Sequence, residues 1–292
     1  MATTHELDDI FGYMPFDHFL VDKWDPESSL NQETQEQALV KTWISLGRRG
    51  RSTYIRRCME HGQVPVPEHI PTDLSSFEKR KTVDPDEWSS AGAIWIRTWY
   101  GTEAEKKVHQ SEETVTRESA DTAYARLWQK ALWPLEKVGF DDGMFGPFVF
   151  DDSAAAYGVS VKDADDEVEL MDGTPSFILS ALVRCPDAME GSSGRDVEED
   201  DDAEDDEELT QLQALLVVVA DGEACEDGWV LLLAINNRGQ VLHKRVRCKA
   251  SDVGQNVALW KDGGEPLDIE SQKENVMDYQ DPSQSGNGWD DG

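Results

Sequence analysis

The chain has 292 residues, with 60 acidic and 27 basic side chains and a formal net charge of −33 at pH 7. A field of that sign repels phosphate backbones and anionic lipid surfaces, which argues against nucleic-acid and membrane-surface binding. Four scattered cysteines without a C-x-x-C pair argue against a zinc knuckle and a disulfide scaffold, and no secretory signal pattern opens the chain, so we expect a soluble cytoplasmic or nuclear protein that is not secreted.

The first 80 residues are expected to form an N-terminal arm followed by a helical hairpin. Residues 1–30 mix aromatic side chains with acids and prolines, and their lack of a sustained period predicts an irregular arm. Residues 31–47 place apolar side chains at helical spacing, which predicts a helix that ends near Gly47.

A second helix is predicted to complete the hairpin. It begins at Ser52, whose hydroxyl is expected to cap the first turn, and it ends at Gly62. Within it, Ile55, Cys58 and Met59 form an apolar stripe that is expected to face the body of the protein.

An α/β domain is expected at residues 81–270. Three prolines between residues 63 and 73 predict an extended linker before it, with a boundary near residue 80. Residues 116–138 carry apolar side chains at intervals of three and four, which predicts one long amphipathic helix. Apolar or alternating runs predict strands at residues 93–100, 147–152, 176–185, 214–221, 229–236 and 240–249.

The last two predicted strands indicate how the sheet is built. Asn237 and Gly239 flank a tight turn between them, which predicts an antiparallel hairpin at residues 229–249. The expected fold class is therefore α/β (α+β), with a mixed, partly antiparallel sheet packed by helices. An N-terminal helical extension and an acidic disordered insertion complete it.

Two acidic segments are expected to stay unpacked. The first is a disordered loop at about residues 187–209, and its acidic run, residues 196–208, holds 11 acids and no base. The second is a disordered acidic tail at residues 271–292, and from residue 262 onward the chain holds nine acids and one base. Without residues 196–208 and 262–292 the chain keeps 40 acids and 26 bases, a net charge of −14. The rest of the protein is therefore acidic as well.

One segment, residues 41–59, is basic and contains no acid. Its six cations are called the basic cluster here: Lys41, Arg48, Arg49, Arg51, Arg56 and Arg57. Such a cluster binds acidic or phosphate-bearing groups. The partner we expect is the chain's own acidic surface, and the alternatives are an external acidic or phosphate-bearing partner and simple solvation.

A ligand site is expected where the second predicted strand ends. Asp151 and Asp152 close that strand, and side chains at a strand end reach the rim of a sheet. Arg97, near the end of the first strand, is placed to hold a substrate carboxylate, and the indole of Trp260 is placed to line a cleft. Because one residue in five is acidic, adjacent acids also arise by chance.

Signatures of metal and cofactor binding are missing from the sequence. The six histidines form no i, i+4 pair, and no nucleophile elbow, Walker loop or dinucleotide-binding motif occurs. Residues 163–174 are similar to a calcium loop, but Val168 stands where glycine is required and Thr174 where a bidentate Glu is required. We therefore expect no cofactor and no metal, and leave enzymatic activity open while favouring a noncatalytic protein.

Four segments of the chain carry a family resemblance. In order they are IWIRTWYG, followed by a helix, then PFVFDDSAAAYGVSV, ALLVVVAD and VRCKASDVGQNVALWKDG. Over about residues 90–265 the chain resembles a family of small α/β domains of unknown function in bacteria and fungi. In that family an Arg-Thr pair follows the first strand and an Asn-containing segment closes the domain, so the resemblance points to Arg97, Thr98 and Asn256. It implies a compact α/β domain and no particular chemistry.

Charge asymmetry and the missing catalytic signatures lead to two hypotheses. The leading one is a noncatalytic interaction or regulatory protein, whose acidic loop and tail bind a basic protein partner or screen the arginine-rich helices. The alternative is a small-molecule enzyme or ligand-binding protein, accessory to a biosynthetic pathway. This alternative requires four side chains to converge on one pocket: Arg97, Asp151, Asp152 and Trp260.

Overall fold

The computed structural model describes residues 10–80, 93–101, 119–137, 149–151, 174–189, 213–262, 267 and 288–289. The helices in these ranges are α1 (Pro15–Lys23), α2 (Gln32–Ser45), α3 (Gly47–His61), α4 (Ser75–Arg80), α5 (Ala120–Lys137), α6 (Ser176–Arg184), α7 (Gly222–Asp227) and α8 (Val253–Asp262). The strands are β1 (Ala93–Arg97), β2 (Val149–Asp151), β3 (Leu215–Ala220), β4 (Trp229–Ile235) and β5 (Val241–Lys249). No helix in this part of the chain combines the length and the apolar composition that crossing a bilayer requires.

The strands form one mixed sheet in the order β2-β1-β3-β4-β5. β1 pairs in parallel with β2 on one side and with β3 on the other. β3 pairs antiparallel with β4, and β4 pairs antiparallel with β5. The predicted hairpin at residues 229–249 is confirmed, and Gly239, with a φ of 77°, lies in its turn. The predicted α/β class with a partly antiparallel sheet is likewise confirmed.

Helices cover both faces of the sheet. α5 follows β1 and packs with α7 and α8 on one face, called the α5 face. α6 follows β2 and packs on the opposite face, called the α6 face. Because both faces are covered, β1, β3 and β4 are buried along their whole length. Double burial explains why these strands are continuous apolar runs, which made them visible in the sequence.

The N-terminal helices share the core of the α6 face with the sheet. Phe16 and Phe19 of α1 pack against Trp43 of α2 and Tyr54 of α3. The ring centroids of Phe16 and Trp43 lie 5.6 Å apart, and those of Phe19 and Tyr54 lie 5.3 Å apart, both edge to face. Such aromatic pairs contribute about 0.5–1.5 kcal/mol each beyond the burial of their area. The expected boundary near residue 80 adjoins residues 81–92, which lie outside the described residues.

The run at residues 176–185 is a helix, and its prediction as a strand was wrong. Its most deeply buried side chains recur at helical spacing: Phe177, Ile178, Ala181, Leu182. A short, wholly apolar run gives the same signal for a buried strand and a buried helix. Topology decides between them, because the chain must cross from β2 over β1 to the parallel strand β3, and this crossover packs as a helix on the open face of the sheet.

The start and the buried face of the second hairpin helix were also predicted wrongly. α3 begins at Gly47, well before Ser52, and the Ser52 hydroxyl donates to a carbonyl in the preceding turn instead of capping the helix. Met59 is 82% exposed. The buried face of α3 carries Arg51 and Tyr54, so the apolar stripe was assigned to the wrong side of the helix.

Two other predicted helices are confirmed. α2 begins after Asn31, whose side chain accepts a hydrogen bond from the Thr34 amide at 2.9 Å. α5 lies within the predicted residues 116–138. The N-terminal arm is more regular than expected, because α1 forms within residues 1–30.

The predicted acidic segments lie mostly outside the described residues. Pro186–Met189 form a 3₁₀ turn in which the buried Asp187 carboxylate accepts a hydrogen bond from the Phe16 amide at 3.0 Å. Residues 187–189 are therefore packed and not part of a disordered loop, and residues 190–209 lie outside the described part. Within the predicted tail, residues 288–289 are described and pack against the body.

Candidate functional site

The carboxyl edge of the parallel strands is the candidate site on topological grounds. From β1 the chain continues to α5 on one face, and from the neighbouring β2 it continues to α6 on the other. Open α/β sheets bind ligands at such a switch point, outside the carboxyl ends of the strands. In the register of the sheet, Ile96 lies opposite Asp151 and Arg97 lies opposite Ala220. The ends of β1, β2 and β3 therefore meet at this edge.

Arg97 is held at this edge by contacts from the chain itself. Its side chain is 8% exposed, and Nη2 donates to the Asp121 carboxylate at 2.7 Å. Nε donates to the Trp99 carbonyl at 2.9 Å. The guanidinium lies between two rings, 4.4 Å from the centroid of Tyr100 and 4.3 Å from that of Tyr124. The side chain predicted to hold a substrate carboxylate thus already holds Asp121, whose own side chain is 87% exposed.

Thr98 places a buried hydroxyl beside Arg97. Its amide donates to the Ala220 carbonyl at 3.1 Å, which continues the ladder between β1 and β3. The residue is 7% exposed, and Oγ1 has no hydrogen-bond partner among the described residues. Leaving a buried hydroxyl without a partner costs about 1–3 kcal/mol. The family resemblance pointed to this residue, although the hydrophobic pattern did not.

A buried ion pair joins the two halves of the sheet at the same edge. Both guanidinium nitrogens Nη1 and Nη2 of Arg247, on β5, donate to the carboxylate of Asp221, which directly follows β3. Nη1 also donates to the Trp229 carbonyl at 2.7 Å, and Nε lies 3.1 Å from Glu223. Asp221 accepts in addition from the Ala224 amide at 2.9 Å and so caps α7. One arginine therefore connects β5, the start of β4 and the β3–α7 connection.

Asp221 and Arg247 were missed in the sequence analysis. The sequence around each of them carries a signal, but that signal indicates an ion pair only once the partner is known. Asp221 precedes Gly222 directly after a buried strand, which is typical of a helix cap. Arg247 stands between apolar residues in a predicted strand, and a cation there needs a counter-charge. The counter-charge lies 26 residues away in the chain, and the spacing does not reveal it.

The other predicted ligand-site residues are placed as follows. Asp151 ends β2, and its side chain is not described. Asp152 lies outside the described residues. Trp260 lies on α8 in the core of the α5 face, where it is 6% exposed, and its Nε1 has no hydrogen-bond partner among the described residues. The structure thus brings the backbones of Arg97 and Asp151 to neighbouring strand ends and places Trp260 on a helix of the α5 face.

Two members of the basic cluster are engaged by the folded body. Arg51 is buried, and its Nη1 donates to the carbonyls of Ile44 and Asn237, each at 3.0 Å. Arg57 forms an ion pair with Asp22 of α1 at 2.7 Å and lies over the ring of Tyr54. Lys41, Arg49 and Arg56 are exposed.

The comparisons with known proteins add no relative. The chain matches no protein-family model, no curated protein and no solved structure. The resemblance to the family of small α/β domains therefore stays a prediction. Among the described residues, no group of three or more His, Cys, Asp or Glu side chains is placed to hold a metal ion.

Proposed function

We propose that the protein is a noncatalytic interaction or regulatory module that binds a basic protein partner through its acidic segments. The observation that carries this proposal is that arginines of the folded body pair with carboxylates of the same folded body. Arg57, Arg97 and Arg247 form ion pairs with Asp22, Asp121 and Asp221. Each of these cations therefore already has a carboxylate partner among the described residues.

The charge balance favours an external partner over self-screening. The acidic run carries 11 acids, and residues 262–292 carry nine more against one base. Within the basic cluster, Arg51 donates to buried carbonyls and Arg57 forms an ion pair with Asp22. The cluster therefore offers the acidic segments less accessible positive charge than its composition indicates. A negative charge of this size attracts a cationic surface and accelerates its association in a salt-dependent way.

The experiment compares two length-preserving variants with the native chain. In the first, every Asp and Glu of the acidic run becomes Asn or Gln; in the second, the nine acids of residues 262–292 are neutralised in the same way. Proteins captured by the tagged chain from its native cells are identified by crosslinking and mass spectrometry at increasing salt. We expect basic proteins bound by the native chain to be lost from the first variant and reduced in the second.

Two results would argue against this proposal. An unchanged set of captured proteins with unchanged salt sensitivity in the first variant contradicts it directly. If the acidic run crosslinks instead to exposed cations of the basic cluster, such as Lys41, self-screening is the correct interpretation.

A second candidate function rests on Thr98. Its buried, unpartnered hydroxyl lies at the switch point of the sheet beside Arg97, where α/β sheets bind ligands. On this hypothesis the protein is a small-molecule enzyme or ligand-binding protein, and the site accepts a small carboxylate that pairs with Arg97 and accepts from Thr98. Asp151 ends β2, the strand that pairs with β1, and Asp152 follows it in the sequence.

Thr98→Val tests this second candidate, because it removes the hydroxyl and preserves the shape. Thermal unfolding is measured with succinate, citrate and glutamate as probes. If the site binds a carboxylate, a probe raises the Tm of the native chain and leaves that of Thr98→Val unchanged. If Thr98→Val is stabilised and no probe shifts the Tm of either chain, the hydroxyl is a packing defect and the candidate fails.

A further inference from the structure

The end of the chain returns to the folded body at Gly288 and Trp289. These two residues pack against α7 and the start of the 3₁₀ turn at Ala250–Asp252, on the α5 face. Gly288 is buried and Trp289 is half-buried. The preceding described residue is Leu267.

Polar contacts with the folded body hold the dipeptide. The indole Nε1 of Trp289 donates to the Glu226 carbonyl at 3.1 Å. The guanidinium of Arg126, on α5, lies 4.1 Å from the centroid of the Trp289 ring. The Ala250 amide donates to the carbonyl of Gly288 at 3.3 Å and also to that of Gly228 at 2.9 Å.

Arg126 is positioned for this contact by α7. Its Nη2 donates to the carbonyl of Cys225 at 3.2 Å, so the guanidinium is directed across α7. The Glu226 carbonyl that receives the indole lies next along the same helix. The ring of Trp289 is therefore held on its face by a cation and at its edge by an acceptor, which is a combination suited to tryptophan.

Only glycine fits at the close backbone contact between residues 228 and 288. Gly228 has a φ of 78°, and a Cβ atom added to it would lie 2.7 Å from the carbonyl carbon of Gly288. A Cβ atom added to Gly288 would lie 2.4 Å from the carbonyl carbon of Gly228. Both distances are too short for a side chain, so the surface selects glycine directly before the tryptophan.

We infer that this surface, formed by Arg126, the end of α7 from Glu226 to Gly228, and Ala250, is a binding site for a Gly-Trp segment. The protein's own residues 288–289 occupy it in cis as a latch. A peptide or partner protein that carries Gly-Trp at an accessible position competes for the same site. Because residues 288–289 are covalently joined to the chain whose surface they occupy, their effective concentration is on the order of millimolar, and a competitor must exceed that level or bind more tightly.

This inference is independent of the acidic run. It concerns a different surface of the folded body, and its test leaves residues 196–208 unchanged. Failure of the peptide assay below would therefore leave the proposed acidic interaction standing, and the reverse also holds.

The experiment uses the full-length chain with its latch opened by Trp289→Ala. The probe is a fluorescein-labelled peptide with the sequence of residues 284–292, and binding is followed by fluorescence anisotropy. We expect the peptide to bind the Trp289→Ala chain, and to bind the native chain at least about tenfold more weakly because the latch occupies the site. Arg126→Gln in the opened chain is expected to weaken binding.

Two matched peptides test the selectivity. Gly288→Ala in the peptide is expected to abolish binding, whereas Gly292→Ala, the same chemical change beyond the site, is expected to leave it intact. Equal binding of both peptides overturns the inference, as does an absence of binding to an opened chain that melts at the native temperature. Gly288→Ala in the chain provides a second opened variant. If both opened chains lose the fold, residues 288–289 belong to the core and the latch is wrong.

Discussion

Asp221 and Arg247 are both removed from solvent, with side-chain exposures of 6% and 5%. The ion pair between Arg57 and Asp22 has nearly the same length but exposures of 40% and 34%. This difference in burial determines how much each pair contributes to the free energy of unfolding, because a buried charge that loses its partner cannot be solvated by water. Exposed pairs contribute about 0–1 kcal/mol.

Arg247→Met is therefore expected to lower the free energy of unfolding by about 3–5 kcal/mol, because it leaves the Asp221 carboxylate buried without its counter-charge. Arg57→Met is the control, with an expected loss of at most about 1 kcal/mol. Urea denaturation of both variants checks the prediction. Losses of equal size would show that the burial of the Asp221–Arg247 pair has no energetic consequence.

Glu36 carries the second prediction at this scale. Burial raises the pKa of its carboxyl above the ordinary value, although the amides of Ser75 and Ser76 donate to it at 3.3 Å. A raised folded-state pKa favours the protonated form in the fold. Its contribution to stability is fully present below the unfolded-state pKa and is lost as pH rises through the folded-state pKa.

Glu36→Gln keeps an acceptor and does not ionise, so its stability relative to the native chain is expected to increase from about pH 4 to about pH 7. Glu33→Gln, an exposed position on the same helix, is expected to show no such trend. Denaturation across this pH range measures both. Parallel pH profiles for the two variants would contradict the role of burial.

At the scale of elements, one arginine closes the α2–α3 corner. The Nη1 atom of Arg51 donates to the carbonyl of Ile44 at the end of α2, and to that of Asn237 in the β4–β5 turn. The last carbonyls of a helix have no partner within it, so this side chain satisfies one that burial would otherwise leave open. The φ of 64° at Gly47 turns the chain so that α3 starts directly after α2.

Arg51→Met is expected to lower the free energy of unfolding by more than about 2 kcal/mol, because buried carbonyls, including those of Ile44 and Asn237, lose this donor. Arg56→Met on the exposed side of the same helix is expected to change it by no more than about 0.5 kcal/mol. Chemical denaturation compares the two. If both substitutions changed the free energy of unfolding equally, Arg51 would contribute no more than a solvated cation, and the prediction would be wrong.

The elements differ in how far the sequence could predict them. β1, β3 and β4 were found because burial on both faces leaves a continuous apolar run. α6 gives the same run, and only the crossover between parallel strands identifies it as a helix. The start of α3 was missed because the arginines after Gly47 indicate a solvated turn, whereas Arg51 is buried there by contacts that join residues far apart in the chain.

The residues of the candidate site also differ in how far the sequence could predict them. Arg97 could be predicted from its place at the end of a strand, but its Asp121 partner and the ring of Tyr124 depend on how α5 packs. The Asp221–Arg247 pair and the latch at Trp289 arise from tertiary contacts that no local pattern contains.

At the scale of the whole molecule, the net charge of −33 repels itself when the chain is compact. Added NaCl is therefore expected to raise the Tm of the native chain, because screening weakens that repulsion. The variant with a neutralised acidic run is expected to show a smaller rise. Thermal unfolding over a range of salt concentrations measures both, and a Tm that falls with salt would contradict the prediction.

β5 is one of the two edge strands of the described sheet, and its sequence is cationic in a protein with a net charge of −33. Lys244, Arg245, Arg247 and Lys249 all lie within it. If two molecules joined their β5 edges, cations would face cations across the new ladder, and like charges placed opposite one another destabilise strand pairing. The positive charge of this strand therefore disfavours growth of the sheet from one molecule to the next, even in a concentrated solution.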